Sequence, residues 1–129
     1  MPQKLLSEAQ LLSIYIGESD KWHGQALYSA ILETLRREGI AGATVLRGVA
    51  GFGAHSRIHT AAILRLSEDL PLLIQVVDSP EHIAHALEAI GPMVREGLIT
   101  LQPVEVLLYT ERHRNPPAEE NAAPNSLTK

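Results

Sequence analysis

The chain has 129 residues, the length of a single domain, and its 45% hydrophobic content can fill a core that must be mainly aliphatic, because it holds one Trp, one Phe and three Tyr. A net charge of −4 argues against general nucleic-acid binding, since phosphate backbones reward a basic surface. With no Cys, disulfides, thiolate chemistry and Cys-type zinc sites are excluded.

The first residues, Met1-Pro2-Gln3-Lys4-Leu5-Leu6, run quickly into Ser7 and Glu8, so no signal-peptide apolar region is present. No apolar run approaches the roughly 20 residues that span a bilayer. The expected location is the cytoplasm. Residues 10–17 then read as a strand, with Leu12, Ile14 and Ile16 alternating with Leu11, Ser13 and Tyr15. A polar loop, 18–24, leads to a helix over 25–38, where Leu27, Ala30, Ile31 and Leu35 form one stripe. Gly39 stands where helices commonly stop. A second strand is expected over 40–47.

The next stretch, 48–60, carries glycines, histidines, an arginine and the only Phe, between two strand-like runs. Ordinary hairpin connections are shorter and chemically plainer. A third strand is expected at 61–66. Leu70-Pro71 breaks it, and Leu72-Leu73-Ile74-Gln75-Val76-Val77 continues it or adds another. Asp78-Ser79-Pro80-Glu81 is a helix start: a capping side chain, Pro in the first turn, then an acid near the positive dipole end. Ile83, Ala86, Leu87 and Ile90 continue that helix to about Val94. The last strand is expected over 98–109, with Pro103 marking an edge or a bulge. The folded domain is thus residues 1–110, and the polar tail 111–129 has too little apolar content to order itself.

The order β-α-β-β-α-β predicts an α+β fold of the ferredoxin-like kind: a four-stranded antiparallel sheet with both helices on one face. The other sheet face would then be apolar and uncovered, a liability in a monomer. A homo-oligomer, specifically a trimer with its sheets facing inward, removes it.

Lys21-Trp22-His23-Gly24, the run 39–48, Gly51-Phe52-Gly53-Ala54-His55 and Arg65-Leu66-Ser67-Glu68-Asp69-Leu70-Pro71 together resemble the PII-like proteins grouped as domain of unknown function 190. The resemblance covers about residues 10–110. It implies kinship in fold with PII signalling proteins, which are ferredoxin-like trimers that bind adenine nucleotides between subunits. Such proteins use a long loop between the second and third strands to dock on transporters or enzymes. Residues 48–60 stand in that place, and Met93–Gly97, with Arg95 and Gly97, stands where the PII nucleotide turn precedes the last strand. The resemblance therefore implies an adenine nucleotide (ATP, ADP or AMP) as effector and a membrane ion transporter or channel as partner.

The residues themselves point to an anion site. Gly48, Gly51 and Gly53 form neither a P-loop nor a dinucleotide fingerprint, because no Gly-Lys-Ser/Thr follows and a strand rather than a helix comes next. Arg47, His55, Arg57 and His59 suit phosphate oxygens, and Phe52 suits a base or a partner. Lys21 and Trp22 lie near a helix N-terminus, where anions are favoured; Trp22 could stack on a base or pack at a subunit interface. Glu18 and Asp20 would oppose an anion there. The competing reading is a metal-binding trimer of the ion-tolerance type, with His55 and His59 as ligands; His82 and His85 also have a spacing that could hold a metal. No nucleophile–base–orienter set is visible, so the expected protein is not an enzyme.

Overall fold

A computed structural model of the chain describes residues 8–53 and 69–110 and is built around one central strand, β1 (Ala9–Gly17). A small hairpin follows, β2 (Lys21–Trp22) and β3 (Gln25–Ala26), and leads into helix α1 (Leu27–Arg37). Next come β4 (Thr44–Arg47), β5 (Pro71–Asp78), helix α2 (Pro80–Ile90), a 3-10 turn (Gly91–Met93) and β6 (Leu98–Val104). The four long strands form one sheet in the order β4-β5-β1-β6, and every pairing is antiparallel. This is the expected α+β architecture.

Residues opposite one another across a sheet share a face. The register places Leu12 against Val76 and Leu101, Ile14 against Ile74 and Ile99, and Ile16 against Leu72. This face meets Leu27, Ala30, Ile31 and Leu35 of α1 and Ile83, Ala86 and Ile90 of α2 in one buried cluster, so both helices cover the same side. Each such aliphatic side chain contributes roughly 1.5–3 kcal/mol when fully buried. The opposite face carries Leu11, Tyr15, Leu46, Leu73, Val77 and Leu98; Tyr15, Leu46, Val77 and Leu98 are all exposed. The expected uncovered apolar face is therefore present.

Both helices end for visible reasons. Gly39, with φ +88°, donates to the Arg36 carbonyl, and Ile40 donates to the Leu35 carbonyl. That pair of bonds is a Schellman closure, and Ile40 drops into the core as its apolar lid. At the start of α2 the Ser79 hydroxyl accepts from the His82 amide, and Pro80 occupies the first turn. Pro92 lacks an amide donor and stops α2 at Ile90, short of the expected Val94, with a 3-10 turn finishing the segment.

Several boundaries differ from expectation. The second strand begins at Thr44, not at residue 40: Ile40 is spent on the helix closure, and the Ala41 amide is taken by the Asp78 carboxylate at 3.0 Å. The helix expected from residue 25 begins at Leu27, because Gln25 and Ala26 pair with Trp22 and Lys21 across a tight turn. His23 and Gly24 form that turn with φ +48° and +86°, as a two-residue hairpin of the primed type requires. The last strand ends at Val104 rather than residue 109, since Val104 already faces Ala9, the first residue of β1. The expected strand at 61–66 and the tail 111–129 lie outside the described residues. Residues 72–77 lie within β5, which starts at Pro71.

Candidate functional site

Two strand ends and two strand starts converge on a single end of the sheet. Arg47 faces Leu72, Gly17 faces Pro71, and Tyr15 faces Leu98. Arg47, Gly48, the 18–20 turn with its hairpin, and Gly97 therefore lie along one rim. The opposite edges of that rim are separated by three strand spacings, about 14 Å, with Arg47 on the β4 edge and Gly97 on the β6 edge.

At the β4 edge a pocket of about 260 Å³ is lined by Glu18, Tyr28, Val45, Arg47 and Leu72. Val45 and Leu72 give it apolar walls, Tyr28 an aromatic one, and Arg47 and Glu18 its charged groups. The Arg47 guanidinium pairs with the Glu18 carboxylate. The Gly48 amide donates to the Pro71 carbonyl at 2.7 Å, which carries the β4–β5 ladder one step past the strand.

The glycines have packing reasons of their own. A Cβ on Gly48 would stand 2.9 Å from Pro71 Cγ, and one on Gly51 3.3 Å from the same atom. At Gly97 a Cβ would meet the Tyr15 carbonyl at 2.6 Å. Close backbone approach thus explains these positions without a ligand. Phe52, at 71% exposed, presents its ring to solvent, and Gly53 beside it is also exposed. Arg95 is exposed just ahead of β6, away from Arg47. Lys21 is exposed on the hairpin, whereas Trp22 is half-buried against the core and stacks on His23 with ring centres 4.2 Å apart. His55, Arg57 and His59 lie outside the described residues.

The remaining histidine pair does not converge. His82 Nδ1 lies 2.8 Å from Asp78 Oδ1, and His85 Nε2 lies 2.8 Å from Glu38 Oε1. Each ties α2 to a carboxylate from a different element, so the spacing serves helix docking. Among the described residues no group of three His, Asp or Glu could hold a metal ion.

Sequence reasoning missed Tyr28, Val45 and Leu72 as pocket walls and the partnership of Glu18 with Arg47. Glu18 was visible only as a charge opposed to an anion. Nothing local couples it to an arginine 29 residues away.

Residues 9–106 match the family model DUF190, described as an uncharacterized ACR. The chain belongs to the DUF190 family. It is 38% identical over 100 residues to a UPF0166 protein of Methanocaldococcus jannaschii, covering 77% of this chain and 92% of that one. It is 36% identical over 98 residues to a UPF0166 protein of Aquifex aeolicus, covering 76% and 92%. Among solved structures it resembles CPII of Thiomonas intermedia K12, a nitrogen regulatory PII-like protein bound to ADP, AMP and bicarbonate (TM-score 0.61, 19% identity, 77% of this chain and 88% of that one). It also resembles the B. subtilis GlnK–ATP complex (TM-score 0.50, 12% identity, 76% and 83%). The DUF190 chain thus has the PII-like ferredoxin-type fold. Among its described residues no helix is long and apolar enough to cross a membrane.

Proposed function

We propose that this DUF190 chain is a PII-like regulatory protein rather than an enzyme, working as a homotrimer that binds an adenine nucleotide between its subunits. The observation that carries the reading is the rim: Arg47 beside a pocket with apolar and aromatic walls, on a fold whose PII-like neighbours were solved with ADP, AMP or ATP. Arg47 offers a fork to phosphate oxygens, and Val45, Leu72 and Tyr28 offer a surface to a base. Arg95 and Gly97 stand on the other sheet edge, about 14 Å away within one copy. Where two copies adjoin, the β4 edge of one and the β6 edge of the next could meet a single ligand, which favours a site between subunits. The exposed apolar face of Tyr15, Leu46, Val77 and Leu98 supplies the reason for copies to adjoin.

Residues 48–60 would carry the output, with Phe52 as a contact for the partner. A membrane ion transporter or channel is the partner that the family resemblance suggests. For ligand to control that partner, it must bind two states of the protein unequally. The location expected for such a protein is the cytoplasm.

Calorimetry with ADP tests the reading, on the parent and on Arg47→Ala. Binding to the parent with at least tenfold loss in Arg47→Ala is expected; no binding of any adenine nucleotide would sink it. Light scattering on Leu46→Asp should report a smaller species than the parent if the open face holds the trimer.

A further inference from the structure

The Arg47 guanidinium already has a partner. It pairs with the Glu18 carboxylate, the two side chains being 60% and 23% exposed. The backbone that carries Glu18 is held from several sides. The Glu18 amide donates to the Leu70 carbonyl at 2.8 Å. The amide and hydroxyl of Ser19 both donate to Asp69 Oδ1, at 3.2 and 2.7 Å. Within the turn, the Gly17 amide donates to Asp20 Oδ2 at 2.9 Å and the Asp20 amide to the Gly17 carbonyl at 3.2 Å. The Leu27 amide, at the start of α1, donates to the Asp20 carbonyl at 2.8 Å. These bonds fix the backbone from which the Glu18 side chain reaches the planar Arg47 fork.

The pair also belongs to the pocket rather than to an unrelated patch, since both residues line it. An anion reaching Arg47 there meets a carboxylate in its position, and the turn that carries Glu18 holds the Asp20 and Asp69 carboxylates as well, each within 3.2 Å of where a Cβ on Gly17 would be. We propose that Glu18 is a built-in competitor for the Arg47 anion site, so that a ligand's phosphate gains the guanidinium only by displacing the Glu18 carboxylate. This rests on the reading of Arg47 as the phosphate contact.

A competitor on the same chain lowers the affinity of every ligand that needs Arg47 by one factor, the fraction of molecules in which the guanidinium is free. Glu18 therefore weakens ADP and AMP alike and leaves the ratio between them unchanged. Exposed ion pairs are worth roughly 0.2–1 kcal/mol, so freeing Arg47 from one changes affinity by about 1.5- to 5-fold.

Calorimetry with ADP and with AMP on the parent, Glu18→Gln and Arg47→Ala decides the matter, with a thermal melt of each variant to verify folding. Glu18→Gln keeps the side chain's size and removes its charge. The expected result is ADP binding about threefold tighter in Glu18→Gln, with the same gain for AMP and an unchanged ADP/AMP ratio. Unchanged or weaker binding in a folded Glu18→Gln, with Arg47→Ala still impaired, overturns the competitor role and leaves the Arg47 site standing. If Arg47→Ala binds like the parent, or no variant binds, the Arg47 reading itself falls and this proposal falls with it. Glu18→Asp, which keeps the charge but shortens its reach, should lie between the parent and Glu18→Gln.

Discussion

The sheet closes at both ends on a carboxylate, and the two ends use it differently. At one end Asp78, 7% exposed, accepts from the Ala41 amide and the Ser79 amide at 3.0 and 2.7 Å and sits 2.8 Å from His82 Nδ1. Its oxygens are taken by backbone groups that cannot leave without unfolding the α1–β4 connection or the α2 N-terminus. At the other end Glu18 meets, among the described residues, one side chain, Arg47, in the lining of a pocket. A buried carboxylate with fixed donors is structure. A carboxylate paired with one long, exposed arginine can exchange its partner for a ligand.

Substitutions can break this contrast. Asp78→Ala removes the acceptor from two amides and a histidine, and should destabilise the fold by about 3 kcal/mol in a denaturant titration. Gly97→Ala, at the other end, forces a methyl group against the Tyr15 carbonyl and Val94 and should cost about 2 kcal/mol, with any loss of ligand binding traceable to that strain. Ser79→Ala removes the cap of α2 and should cost about 1 kcal/mol. Arg47→Ala should change the melting point least, by less than about 1 kcal/mol in stability, while it affects ADP binding most. If Arg47→Ala proved as destabilising as Asp78→Ala, the two ends would be alike and both structural.

The architecture was legible because periodicity carries it. Leu12, Ile14 and Ile16, the α1 stripe and the Ser79-Pro80 start all lie where alternation and capping chemistry put them. Boundaries were less legible where one residue type serves two purposes. Ile40 reads equally well as the first residue of a strand or as the apolar end of a Schellman closure, and only the Gly39 conformation decides. Residues 105–109 keep a strand's alternation, yet Leu107 and Leu108 are 84% and 72% exposed, because β1 has no residue left to pair with them. The site was half legible. Arg47 and the Lys21-Trp22 segment stood out by composition and do lie at one rim. The glycines at 48, 51 and 97 proved to have steric causes, and the Glu18–Arg47 pair depends on strand register, which no local pattern encodes.

The bond from the Gly48 amide to the Pro71 carbonyl brings together the points where the chain leaves β4 and returns to β5. The ladder is complete at that step, whatever residues stand between. A flexible insertion between those two points would add closure entropy only slowly, about 0.6 kcal/mol for each doubling of loop length. The frame works as a socket. Asp69 and Leu70 belong to its rim, because they hold the 18–20 turn, and must stay when other residues are exchanged.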